Sequence, residues 1–334
     1  MPNFIKRRLT TLTSLYFYCL VIAVVVVSVL PWWPFYQWLI IPKYLLLFGP
    51  RWWLAIVSLC ILAFWAYLSR RKRLLLPVLF MGVLNYLDFQ LPSFTQYFQP
   101  SIENTQTIKI IQANIGGGGS MYEMKLLIQD EQPDIVLLQE AKKVDFSKWI
   151  SPEYRTSCKG GLCIVSKLDF EELGALNRKL IQGWGNFAML YKIKTAQGDF
   201  SLANIHMETP RTVIMSIIHG VWAQPSATKL DGDRQYEALL ISSWQQAQDN
   251  AIIVGDFNML EDENIYQKYF SSMNNALGSA SVGLNYTKKT SWHGVRIDHL
   301  LFSDNFTLKE SRVLNSLTGD HQPITSILSL KNEN

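Results

Sequence analysis

Long uncharged runs dominate the first hundred residues. Arg8 and Lys43 are separated by 34 positions without a charge, and Leu12 to Trp33 has the length and composition of a helix crossing a hydrocarbon layer, with Trp32 and Trp33 at its far interface. A second uncharged stretch, Trp52 to Ser69, lies between Arg51 and the block Arg70-Arg71-Lys72-Arg73. A third runs from Leu74 to about Leu91, with Asp88 near an interface. The pattern predicts three transmembrane helices, at about 12–33, 52–69 and 74–91, in an N-terminal membrane anchor covering 1–100. Phe35–Phe48 contains Pro42 and Lys43 and is not read as a crossing. No small-residue cleavage site follows the first run, which argues against a removed signal peptide.

After a polar linker at 101–106 the periodicity changes. Thr107–Asn114 and Asp134–Gln139 read as strands around a helix, Met121–Gln132, whose Met121, Met124, Leu127 and Ile128 share one face before Pro133. Further strands fit Leu162–Ser166, Asn186–Lys194, Phe200–His206, Ala251–Gly255, Arg296–Phe302 and Ile324–Leu330. Asp233–Ala247 reads as a helix with Tyr236, Leu239, Leu240, Trp244 and Ala247 inward. Alternating strands and helices over 107–334 predict an α/β domain.

Charge divides the chain at the same place. Residues 1–100 carry nine Lys or Arg and only Asp88, whereas the remainder carries 22 against 26 acids, so the formal +4 describes neither part. A nucleic-acid partner therefore draws no support from net charge. Lys6-Arg7-Arg8 and Arg70–Arg73 belong on the cytoplasmic side, and three crossings then deliver residue 100 and the α/β domain to the extracytoplasmic or periplasmic side. In that compartment Cys158 and Cys163, flanking Lys159-Gly160-Gly161-Leu162, are close enough in sequence to close a hairpin with a disulfide, the alternative being two unrelated small buried residues.

Candidate chemistry gathers where strands end. Glu140 follows one apolar strand, His206 closes another, and Asp256 and Asn258 follow a third; Asp298 lies early in the strand leading to Leu300-Leu301-Phe302, and Asp320-His321 precedes the last. Singly, such residues serve as turns or caps. Asn114, Glu140, His206, Asp256, Asn258, Asp298, Asp320 and His321 together suggest a site for a hard divalent cation, since carboxylates at the ends of buried strands are costly without a partner. The glycines 116–119 read as a flexible loop, with a phosphate cradle the sharper alternative.

The motifs Gln112-Ala113-Asn114-Ile115, Leu138-Gln139-Glu140, Ala203-Asn204-Ile205-His206, Gly255-Asp256-Phe257-Asn258, Ile297-Asp298-His299-Leu300 and Gly319-Asp320-His321-Gln322-Pro323, in this order, resemble the endonuclease/exonuclease/phosphatase superfamily. The anchored arrangement looks like its bacterial membrane-bound branch. The resemblance implies a four-layer α-β-β-α sandwich with two central mixed sheets, here preceded by an N-terminal bundle of transmembrane helices. It also implies Mg²⁺, with Mn²⁺ as the alternative, held by Glu140 with Asn114 beside it and Asp320 as a further ligand. Asp256 would prepare the attacking water, Asn258 hold the phosphate or a second metal, His321 with Asp298 polarise the phosphate or transfer a proton, and His206 neutralise developing charge. Gly116 stands where some members carry an acid, which argues against a second tightly held metal. The implied activity is hydrolysis of a phosphodiester or phosphomonoester, with nucleic acid or phospholipid as substrate.

Arg211, following His206, is a candidate grip on a second phosphate, its alternative being a solvent-facing charge. Two other classes compete with an enzyme. A noncatalytic phosphate- or lipid-binding scaffold would not need the intact acid and histidine set. A transporter fragment would need more intramembrane charge than Asp88.

Overall fold

Helices fill the N-terminal end and strands the rest of this computed structural model, which describes residues 3–92, 106–116, 119–142 and 150–331. The helices are α1 (Asn3–Ser28), α2 (Ile40–Phe48), α3 (Trp52–Cys60), continued as a 3-10 stretch over Ile61–Tyr67, and α4 (Arg70–Tyr86). Phe17, Leu20, Val24 and Val27, one stripe of α1, pack with Leu54, Ile61, Leu76, Leu79 and Val83. Leu12, Leu15, Ile22 and Val25 of the same helix are exposed, so α1 is apolar on both faces.

The three expected spans are not three equal helices. Among the described residues only α1, 26 residues long, is by itself long and apolar enough to cross a membrane. The stretch expected as 52–69 meets that test only when joined to Gln37–Phe48 across a bend of 77°. Pro50 and Arg51 lie at this bend, and the buried Arg51 guanidinium donates to both carboxylate oxygens of Asp262 at 2.9 Å, drawing the turn toward the α/β domain. The third expected span is realised as α4, only 17 residues long, which opens on Arg70–Arg73 and contains Pro77. Asp88, expected near a membrane interface, pairs with Arg296 at 2.8 Å.

Gln106 apart, the expected linker lies outside the described residues. Then come β1 (Ile108–Asn114), α5 (Met121–Glu131), β2 (Ile135–Gln139), β3 (Arg155–Lys159), β4 (Leu162–Ser166), β5 (Phe170–Asn177), β6 (Asn186–Ile193) and β7 (Phe200–His206). The chain continues through α6 (Arg211–Ile218), α7 (Gln224–Gln246), β8 (Ala251–Asp256), α8 (Asn264–Tyr269), β9 (Asn274–Asn275) and α9 (Ala276–Ala280). It ends with β10 (Lys288–Lys289), β11 (Gly294–Val295), β12 (Asp298–Phe302), β13 (Phe306–Val313) and β14 (Ile324–Leu330). One six-stranded sheet runs β13-β14-β1-β2-β4-β3 and the other β5-β6-β7-β8-β12-β9, while β10 and β11 form a separate hairpin. Each large sheet is mixed, with β1 parallel to β2 and β7 parallel to β8.

The sheets face each other across a core that joins Ile110, Leu137 and Ile164 of the first to Tyr191, Leu202, Val254 and Leu300 of the second. Met124, Leu127 and Ile128 of α5 cover the outer face of the first sheet. Ala238 and Ile241 of α7 cover Phe187, Ala203 and Ile253 of the second. The buried stripe of α7 differs from the expected one: Leu240 and Trp244 pack inward, but Leu239 is exposed, and Asp231, Arg234 and Glu237 are buried. These three charges have partners on other elements, so hydropathy alone selects the wrong face. Cys158 lies opposite Cys163 in the β3–β4 hairpin, and a disulfide joins them.

Three buried ion pairs tie the N-terminal helices to the α/β domain. Lys43 Nζ lies 2.6 Å from Asp231 Oδ1, Arg51 pairs with Asp262, and Arg296 is shared by Asp88 and Glu261. Apolar contact surrounds the first of these, because Ile40, Ile41 and Tyr44 of α2 pack on Val213 of α6 and on Ala227 and Leu230 of α7. The segment set aside as a crossing is thus a docking helix.

Candidate active site

The strand register assembles one row of functional groups. On β8, Asp256 has His206 of β7 as its partner on one side and Asp298 of β12 on the other. In the first sheet Asn114 pairs with Gln139, which puts Glu140 just past the end of β2. Asn114 then joins the sheets, since its Nδ2 donates to Glu140 Oε1 at 3.1 Å and to Asp256 Oδ2 at 3.0 Å.

Local backbone geometry fits these placements. Gly255 has φ 143°, and a Cβ there would stand 2.0 Å from the Ile205 carbonyl oxygen, so only glycine lets β8 approach β7 this closely. Glu140 and Asn258 adopt φ of 53° and 49°, left-handed conformations costly for non-glycine residues and concentrated at functional sites. Asn258 is held from three sides. Its backbone N–H donates to Asp256 Oδ1 at 2.9 Å, its Nδ2 donates to the Met207 carbonyl at 2.9 Å, and its own carbonyl accepts from Arg234 at 2.7 Å.

The two histidines approach the same carboxylate oxygen. Nε2 of His206 and Nε2 of His321 each lie 3.7 Å from Asp256 Oδ2, and His206 is 3.8 Å from Glu140 Oε1. His321 Nδ1 lies 3.0 Å from Asp298 Oδ2, fixing the ring. Burial alone would push the His321 pKa down, but the carboxylates of Asp298 and Asp256 outweigh it and raise it to about 9, against an opposing effect of Lys288. Asp256, Asp298 and His321 each offer one ligand atom, and these atoms lie within 4.8 Å of one another. With Glu140 reached through Asn114, the donor set is rich in carboxylate oxygen, as a hard divalent ion requires.

Several residues that position the site had no role in the sequence reading. Gln112 Nε2 donates to Asp298 Oδ1 and to Gln139 Oε1, both at 2.9 Å, and Gln139 Nε2 donates to Asn204 Oδ1 at 2.7 Å. This buried amide chain crosses from one sheet to the other. Thr287 Oγ1 accepts from the N–H groups of Ile297 and Asp298 at 3.1 and 3.0 Å, anchoring the start of β12. Lys288 places Nζ 2.6 Å from Asp320 Oδ2 and 2.8 Å from His321 Nε2. A lysine in a two-residue strand leaves no periodic signal. Arg178 also supports the site: it donates to the His206 carbonyl at 2.8 Å and to Glu237 at 2.6 Å.

Two expected site residues stand apart from the central group. The Asp320 carboxylate, half-exposed, has Lys288 as its partner. Burial would raise its pKa, but Lys288, and then His321 and Arg211, bring it below the ordinary range. Arg211 is exposed at the start of α6 and reaches the site through this influence on Asp320.

Solved structures share this architecture. A humanized D. rerio TDP2 matches with a TM-score of 0.51 at 14% identity, covering 67% of this chain and 99% of that one. The 3'-5' exonuclease NExo from Neisseria meningitidis matches at 0.50 and 16% identity, over 67% of this chain and all of that one. An endonuclease/exonuclease/phosphatase family protein from Bacteroides thetaiotaomicron matches at 0.50 and 17%, over 69% and all of it. At these identities the likeness is one of fold. No curated protein matches the chain in sequence. The profile of the Endonuclease/Exonuclease/phosphatase family matches residues 111–321, from the strand that carries Asn114 to His321 itself, and the chain belongs to that family.

Proposed function

We propose that this chain is a membrane-anchored, divalent-metal-dependent phosphoesterase that hydrolyses a phosphate ester by attack of water. The convergence of Glu140, Asp256, His206 and His321 around the Asn114 amide carries the reading. Glu140, beside Asp256, would hold Mg²⁺ or Mn²⁺, with Asn114 close by and donating its amide to both carboxylates. A bound ion of this kind polarises a phosphate oxygen and makes water more acidic.

The remaining roles belong to the chain. Asp256, fixed by the Asn258 N–H and by Asn114, orients a water and takes its proton. His321, kept protonated at neutral pH by its two carboxylates, donates to a phosphate oxygen, and Asp298 prevents the ring from turning. At 2.8 Å the Lys288 ammonium and His321 Nε2 cannot both keep a proton on the line between them. An arriving phosphate oxygen would accept from both and relieve that contact. His206 offsets charge on the side of Glu140. Asp320 steadies Lys288.

The membrane reading rests on α1, which is apolar on its exposed face. Lys6–Arg8 precede its apolar run and Arg70–Arg73 open α4, while the opposite ends of these helices meet the catalytic domain: Asn264 donates to the Trp33 carbonyl at 2.8 Å and Asp88 pairs with Arg296. On this reading both basic clusters lie on the cytoplasmic side and the catalytic domain lies on the other.

Purified full-length protein, assayed with Mg²⁺ on an aryl phosphodiester and then on DNA, RNA, phospholipid and a phosphomonoester, tests the activity. Turnover abolished by a chelator and by Glu140→Ala supports the reading; turnover indifferent to both refutes it. A C-terminal reporter active only in the cytoplasm would reverse the orientation.

A further inference from the structure

Scattered exposed apolar side chains are ordinary, but a contiguous group beside other apolar surface marks a partner. One such group lies on α6 and the turn that follows. Val213 faces α2 in a buried contact, and Ile214 and Ile217 pack beside it. On the other side Met215 and Ile218 are exposed, as are Val221 and Trp222 in the turn. Beyond Arg211, Thr212 and Ser216 the helix thus carries apolar side chains on an exposed face as well as on its buried one, which water does not favour for a surface element. From Thr212 to Thr228 the sequence contains no Asp, Glu, Lys or Arg, in a domain otherwise dense with charge.

This surface continues onto the N-terminal helices. Gln224, just past Trp222, donates to the Gln37 carbonyl, next to the exposed Trp38 and Tyr36. Trp292, between β10 and β11, is 80% exposed, and its carbonyl accepts from Trp52 Nε1 at 3.2 Å at the start of α3. Aromatic side chains of this kind favour the boundary between hydrocarbon and water.

We propose that the end of α6, through Trp222, and the β10–β11 tip at Trp292 form a membrane-contact surface, whose partner is the interfacial layer of the bilayer crossed by α1. The proposal rests on the membrane reading given above. It has a consequence for the site, because both elements also carry its outlying cations. Arg211 begins α6 and Lys288 begins the hairpin, so the elements that touch the bilayer are those that present positive charge to a phosphate.

The test places an environment-sensitive fluorophore on full-length protein in phosphatidylcholine–phosphatidylglycerol vesicles. Trp222→Cys and Trp292→Cys are labelled in a background lacking Cys19 and Cys60. Asn305→Cys, at the end of the sheets far from the site, serves as the aqueous reference, and the native exposed Cys19 of α1 is labelled separately. The expected result is blue-shifted emission at 222 and 292, quenched by spin-labelled lipid and shielded from iodide, with position 305 quenched by iodide. Iodide-accessible probes at 222 and 292, with Cys19 shielded, overturn the contact surface and leave the anchor standing. A Cys19 probe open to iodide removes the anchor reading, and this surface with it.

Discussion

Charge is buried in both halves of the molecule, but to different ends. Among the N-terminal helices the buried or partly buried charges that reach the catalytic domain, Lys43, Arg51 and Asp88, each meet an opposite charge there. In the strand-rich half, Asp256 and Asp298 lie with two imidazoles and an amide around a position where a ligand's charge would complete the set. A closed pair holds two bodies in register, whereas an incomplete set is available for chemistry. The contrast separates a docking charge from a working one even when both are equally buried.

That contrast can be broken by substitution. Asp256→Asn keeps shape and removes the proton acceptor, so hydrolysis should fall by about 10²–10⁴-fold with thermal unfolding little changed; loss of fold instead of rate would place Asp256 with the structural charges. Arg296→Met leaves Asp88 and Glu261 buried without their cation, and should cost about 3–5 kcal/mol of stability, read as a fall in Tm of detergent-solubilised protein. A negligible fall would show that the pair does not dock the halves. Lys288→Met should reduce kcat/KM roughly tenfold, the loss of one charge-assisted contact of about 1.5 kcal/mol, and leave Tm nearly unchanged. The smallest effect concerns Glu237, whose pKa burial pushes up to about 7 against the pull of Arg178. A carboxyl raised in the fold contributes stability below its ordinary value of 4.5 and loses that contribution as pH climbs toward 7. The wild-type Tm should therefore decline between pH 5 and 8 more steeply than that of Glu237→Gln, and parallel slopes would refute the assignment.

The interior strands were legible in the sequence because they are apolar on both faces: β2, β4 and β8 are buried along their whole length. The longer strands missed, β3, β5 and β13, lie at sheet edges and are partly exposed, so no apolar run announces them. The grouping of Glu140, His206 and Asp256 was legible for a related reason, since these side chains sit where readable strands stop. Lys288, Arg178 and the partners of Asp88 were not. Asp88 and Arg296 are 208 positions apart, and neither local propensity nor spacing encodes a contact of that separation. The start of α7 illustrates the same limit, for its first turns bury Ala227 and Leu230 only because α2 covers them.

The shared guanidinium of Arg296 bears on anyone wishing to study the α/β domain by itself. A water-soluble fragment that starts at residue 101 would strip Asp231 of its ammonium partner, Asp262 of its arginine and Arg296 of half its counter-charge, while uncovering the oily flank of α6. Such a fragment is expected to precipitate or to refold poorly, and the whole polypeptide is the better starting material for crystals or assays.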